Sequence, residues 1–143
     1  MKKLLIFLAL MTFATMQANV VYVATDGSDS ATGTIDQPMA TLPAAYKKIS
    51  SGDTICFRGG TYMITDDQVM KKDNTYAYVF ALEKAGTTSK RTCVMGYPGE
   101  RPVFDFSGMQ LDGKYRFSAF YLGANYLHLC NFDSIGVPVR IKG

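Results

Sequence analysis

The chain is poor in the residues that build metal and redox centres. Its 143 residues hold one histidine, His128, and three cysteines, Cys56, Cys93 and Cys130, with no Cys-x-x-Cys pair and no Cys/His cluster. That pattern argues against a zinc site built from closely spaced ligands. An odd number of cysteines in an exported chain cannot close completely into bridges. Each cysteine sits in a strand-like apolar run, so the expected state is an unpaired thiol, partly buried as a small apolar group. A disulfide is the weaker reading. No long apolar run is present either. The stretch from Leu4 to Phe13 is about ten residues, too short to cross a bilayer as a mature helix. Charge of one sign is scarce. The formal balance is +3, but Lys2 and Lys3 belong to the N-terminal segment. Without them, 13 basic and 12 acidic side chains remain. A net charge this small gives no case for nucleic acid as a partner.

What is present begins with an export signal: Lys2 and Lys3, the apolar core, then Ala18 as a small residue before the cut, with the larger Met16 three positions back. No cysteine follows the core to suggest a lipid anchor. Removal of residues 1–18 leaves 125 residues, enough for one domain with a modest core. The expected location is secreted or periplasmic, with no membrane contact once the signal is removed.

Residues 19–52 read as a strand, a loop and a helix. Asn19 to Thr25 is rich in β-formers, and Asp26-Gly27-Ser28-Asp29 breaks it. Thr41 is an N-cap, Pro43 is tolerated in the first turn, Leu42, Ala45 and Ile49 form one stripe, and Gly52 is placed as a left-handed stop. From residue 53 to 143 the pattern is strands and turns. Strands are expected over 53–57, 78–82, 92–95, 103–106, 119–122, 127–132 and 137–141. Residues 58–62 and 87–90 read as turns, 65–76 as a polar loop, and Tyr97 to Pro102 as a rigid bend. Ile55, Val79, Val103 and Leu127 lie 24 residues apart, a common length for one coil of a solenoid. Short, evenly interrupted strands also fit a sandwich, but no Asn-Gly hairpin turn joins neighbouring strands. The reading is a mainly β chain, a right-handed parallel β-helix with an N-terminal capping helix and its first few coils. Such a helix would cover the first coil's open edge.

Four segments carry a resemblance to a family. They are Val21 to Asp29, Gln37 to Leu42, Ser51-Gly52-Asp53-Thr54-Ile55-Cys56-Phe57-Arg58-Gly59-Gly60-Thr61-Tyr62, and Gly96-Tyr97-Pro98-Gly99-Glu100-Arg101-Pro102 through Val103 to Gly108. With Asn125 to Ile135 they resemble the N-terminal portion of polysaccharide lyase family nine, which includes pectate lyases and rhamnogalacturonan lyases. The first segments are shared widely among β-helix proteins; the Tyr-Pro-Gly-Glu block and Asn125 to Ile135 narrow the match. The resemblance implies β-elimination on an acidic polysaccharide. A lysine acts as base, and calcium held by clustered aspartates offsets the developing charge. Those residues lie in later coils of the family. No position here matches them, so none is assigned as catalytic or as a metal ligand, and this chain alone is expected to be inactive.

The candidates that are present have ordinary readings beside them. Asp26 and Asp29 offer oxygen ligands for a structural calcium, but an Asp-rich turn bonding its own backbone is favoured. Asp66 and Asp67 beside Lys71 and Lys72 imitate a metal-plus-base group; a solvated loop is the commoner cause. His128 points outward if Leu127 and Leu129 point in; it can touch sugar but has no orienting partner for base catalysis. Asn131 fits a bend. Arg58 can clasp a uronate carboxylate bidentately or hold its own turn. Tyr76, Tyr78, Tyr115 and Tyr121 invite sugar stacking, but strands also bury aromatics, and the core reading is favoured. A non-catalytic carbohydrate-binding or surface module on the same scaffold is the second reading. Val137 to Ile141 would be the last strand with no polar cap after it, which leaves an open end inviting self-association.

Overall fold

The computed structural model describes residues 17–137. Most of the expected export signal and most of the expected 137–141 strand lie outside the described residues. The chain runs β1 (Val20–Val23), α1 (Leu42–Lys48), β2 (Thr54–Phe57), β3 (Gly60–Met63), β4 (Lys71–Lys72), β5 (Tyr76–Leu82), β6 (Thr92–Gly96), β7 (Pro102–Asp105), β8 (Arg116–Leu122), β9 (Leu127–Cys130) and β10 (Asp133–Ile135).

Helix α1 begins as its sequence dictates. Thr41 is extended, its hydroxyl accepts from the Ala44 N–H at 3.3 Å, and Pro43 sits in the first turn. Asp29 braces this cap. One carboxylate oxygen accepts the N–H groups of Ala40 and Thr41 at 3.0 and 2.9 Å, and the other accepts the Thr41 hydroxyl at 2.8 Å. The apolar stripe of Leu42, Ala45 and Ile49 is buried and lies against β1 and β2. The C-terminus differs from the expectation. The helix stops at Lys48 because Ile49 turns extended, and the Lys84 ammonium donates to the carbonyls of Tyr46 and Ile49, each at 2.6 Å. A cation on orphan carbonyls at the negative end of the helix dipole does the work expected of a glycine. Gly52 is left-handed (φ 84°), but in the turn into β2. There the buried Asp53 carboxylate takes the N–H groups of Asn19 and Ser50.

Three sheets wrap one core. The first has the order β1-β2-β6-β9, the second β3-β7-β10, and the third β4-β5-β8. All pairings are parallel except the short β4–β5 pair. The chain visits the three sheets in turn: β2, β3, β5; then β6, β7, β8; then β9, β10. The sandwich alternative is excluded by this parallel order. The 24-residue period is also corrected. Val94 pairs with Ile55, 39 residues on, and Leu129 pairs with Val94 after a further 35. Ile55, Val79, Val103 and Leu127 fall on the first, third, second and first sheets. The even spacing therefore counts strands of different faces, not coils.

Other boundaries move for local reasons. Only Arg58 and Gly59 turn; Gly60 (φ 136°) opens β3, so the expected 58–62 turn is mostly strand. The expected polar loop over 65–76 contains a 3-10 turn, β4 and the start of β5. The 127–132 strand breaks at Asn131 (φ 59°), whose amide donates to the carbonyls of Gly96, Tyr97 and Glu100. That left-handed corner separates the first sheet from the second.

Inward side chains stack from coil to coil. Phe57, Phe80, Phe104 and Phe106 are fully buried, each contributing on the order of 2–3 kcal/mol from area removed from water. Phe104 stands edge-on to Phe57 at 4.9 Å and to Phe80 at 5.5 Å. In β5 both Val79 and Phe80 are at 0% exposure. The in-out alternation therefore slips by one there, leaving Tyr76 and Tyr78 facing out.

Candidate functional site

The sequence candidates scatter. Asp29 serves the helix cap, and Asp26 lines a shallow pocket with Asp36, Arg58 and Glu100. Asp66 accepts the N–H groups of Gln110 and Leu111, both at 3.0 Å. It thereby buttresses a turn in which Leu111 and Asp112 adopt positive φ. Asp67 accepts the Thr65 hydroxyl. Lys71 pairs with Glu83 at 2.5 Å, not with either aspartate. Among the described residues no group of three or more His, Cys, Asp or Glu side chains is placed to hold a metal ion. The calcium implied by the family therefore does not fit the residues described.

Arg58 is committed to its own chain. Its guanidinium clasps Glu100 through two bonds of 2.9 and 2.7 Å, the Gly59 N–H adds a third to the same carboxylate at 2.6 Å, and Tyr97 lies under the cation. The guanidinium first, then the Gly59 N–H, holds Glu100 down to a pKa of about 2. His128 is exposed on the outer face of the first sheet, opposite Cys93. The three cysteines share that face and are free. Cys56 and Cys130 are each in register with Met95, two strands apart, and Cys93 lies diagonal to both. Neighbouring parallel strands are about 4.8 Å apart and alternate residues on one strand about 6.6 Å, so every pair exceeds the reach of a disulfide. Burial pushes the Cys56 thiol pKa up.

One constellation does assemble, on the outer face of the third sheet. Tyr76 and Tyr78 stack with centroids 5.7 Å apart and planes 20° apart, and Tyr121 from the next coil lies 4.8 Å from Tyr78. These three rings are half-buried, outside the core, which corrects the expectation that they fill it; Tyr115 alone packs against the core. The hydroxyl of Tyr78 donates to Asp73 at 2.8 Å. Asp73 also accepts the N–H groups of Tyr76 and Thr75, and these bonds, Tyr76 first, hold its pKa below the usual carboxylate range. Two cations flank the outward rings, and two others flank core-packed Tyr115. Arg116 lies 5.9 Å from the Tyr76 centroid, Lys71 5.0 Å from Tyr121, and Lys72 and Lys114 5.1 and 5.2 Å from Tyr115. Lys71 is neutralised by Glu83. Lys72, Lys114 and Arg116 have no carboxylate partner among the described residues. Sequence reasoning found the tyrosines but not their face, because the slip at Val79–Phe80 carries no composition signal.

Three sheets of mainly parallel strands wound around one stack of apolar residues define the class: a parallel β-helix. Residues 21–142 match the family described as "Pel9A-like, right handed beta helix region", and the chain belongs to that family, as the resemblance to polysaccharide lyase family nine implied. It is 35% identical over 112 residues to pectate lyase PEL9 of Emericella nidulans, covering 78% of this chain and 23% of that protein. It is 28% identical over 135 residues to pectate lyase L of Thermoclostridium stercorarium, covering 81% of this chain and 10% of that protein. A solved rhamnogalacturonan lyase superposes with a TM-score of 0.80 at 34% identity, over 87% of this chain and 30% of the other. The structure of pectate lyase Pel9A superposes at 0.59 and 23% identity, over 81% and 28%, and supports the fold. The chain thus spans a quarter or less of the curated relatives it matches.

Proposed function

We propose that this chain forms the N-terminal coils of an exported polysaccharide lyase that cleaves acidic pectic polysaccharide, pectate or rhamnogalacturonan, by calcium-assisted β-elimination. Residues 1–18 act as the export signal, 19–52 supply the strand, loop and capping helix, and 53–143 begin the coils. The location is secreted or periplasmic. The observation that carries this reading is the 35% identity to a pectate lyase across most of the chain, together with a family match over residues 21–142. This reading assigns catalysis to coils outside this chain, as the family resemblance implies. Calcium would supply charge neutralisation at the uronate carboxylate, and no step here is routed through it.

Two measurements test the reading. Sequencing the gene past codon 143 should reveal strands with clustered aspartates and a lysine; unrelated sequence after a true stop would overturn it. The purified chain with polygalacturonate and calcium should release no unsaturated uronide, and release would overturn the assignment of catalysis to other coils. A non-catalytic glycan-binding module is the second reading. The outward tyrosines on the third sheet favour it, since binding a sugar chain needs no base.

A further inference from the structure

The aromatic and basic face of β5 and β8 has features that the packing of the fold does not require. Tyr76, Tyr78 and Tyr121 sit outside the apolar core, and folding alone would be served by polar residues there. Their geometry is fixed before any ligand arrives. Tyr78 is held by its bond to Asp73, by the stack on Tyr76 and by contact with Tyr121. Rings ordered in advance lose little entropy on binding. Flat, half-exposed rings suit the apolar faces of sugar rings, since a tyrosine offers an apolar body with a polar tip. Exposed Arg116, in register with Tyr76 and 5.9 Å from its ring, is the cation of this face without a carboxylate partner among the described residues; Lys72, in register with buried Ala77, and Lys114 lie instead over Tyr115, the ring that packs against the core. An unpaired guanidinium beside aromatic rings favours a ligand with both sugar faces and a carboxylate, which the guanidinium can clasp bidentately.

We propose that this face is a binding site for a uronate-containing glycan. Sugar rings lie on Tyr76, Tyr78 and Tyr121, and a carboxylate meets Arg116. The proposal rests on the acidic-polysaccharide reading above and deepens it. It assigns a contact that holds the chain away from the bond being broken and needs neither metal nor base.

The test is calorimetric titration of the purified chain, in calcium-free buffer with chelator, against de-esterified oligogalacturonate. The fully methyl-esterified oligomer and polyglutamate serve as comparisons. The de-esterified oligomer should bind. Arg116→Gln should weaken binding about tenfold through lost charge-assisted contacts. Tyr121→Ala should weaken it by several-fold, while Tyr22→Ala, on the first sheet, should leave it unchanged; circular dichroism checks that each variant is folded. Absence of binding, equal binding of the esterified oligomer or of polyglutamate, or unchanged affinity in folded variants would each overturn the site. Because no turnover is involved, such a failure leaves the lyase reading standing. That reading fails separately, through the downstream gene sequence.

Discussion

Asn131 shows how one side chain can define a corner. It holds a positive φ and spends its amide on three carbonyls of the preceding coil. Asn131→Ala should therefore destabilise the chain by about 1–3 kcal/mol, from lost hydrogen bonds and the left-handed penalty, measured by urea denaturation. Asn131→Gly keeps the conformational freedom and should cost less. Glu100 gives a pH prediction. Its pKa falls from an ordinary 4.5 to about 2 on folding. A depressed carboxylate stabilises above its unfolded value and loses that contribution as pH falls through the folded one. The melting temperature should drop between pH 4.5 and about 2, and Glu100→Gln should flatten part of that slope, as followed by circular dichroism at a series of pH values. The opposite slope would remove the Arg58 clasp as its cause.

At the scale of elements, the junction of α1 with β5 is the informative one. The Tyr46 hydroxyl accepts the N–H groups of Glu83 and Lys84 at 2.6 and 2.7 Å, while Lys84 reaches back to the carbonyls at the end of the helix. Tyr46→Phe should cost about 1–3 kcal/mol by leaving two backbone donors without an acceptor. Hydrogen exchange at Glu83 and Lys84 should speed up; unchanged exchange would show that water replaces the hydroxyl. These elements also show what could be read from sequence. The N-cap Thr41, the strands after Asp53 and Thr92, and the break at Asn131 follow from local chemistry and appear where expected. Strand β3 was hidden because two glycines imitate a turn. Strand β4 was hidden because two lysines in a polar loop gain strand geometry only from pairing with β5. The outward side of the tyrosines is not legible in the sequence because the side a strand residue faces depends on a slip of alternation, which packing decides. The coil length is not legible because Ile55, Val79, Val103 and Leu127 look alike yet serve different sheets.

At the scale of the whole molecule, the outermost described coil is the weak boundary. Phe117, Phe120, Leu129 and Phe132 pack against the core but are only half-buried, and Leu122 and Ile135 are 55% and 49% exposed. Apolar side chains this exposed, on strands that have one neighbour among the described residues, invite strand addition. The purified chain should self-associate with rising concentration in sedimentation velocity. A stable monomer at high concentration would show that this edge is covered and would favour the stand-alone module.

The unequal coils carry a further consequence. Coil spacing is 39 residues from Ile55 to Val94 but 35 from Val94 to Leu129, yet the rungs stay in register. The excess is shed sideways into loops, so the stack counts strands and ignores the residues between them. Such a scaffold is a modular frame. A peptide inserted after Thr87, in the turn before β6, lengthens one rung without shifting the next, whereas a single residue added within β6 would turn its row of side chains inside out. Novelty can therefore accumulate at the corners of this molecule while its walls remain unaltered.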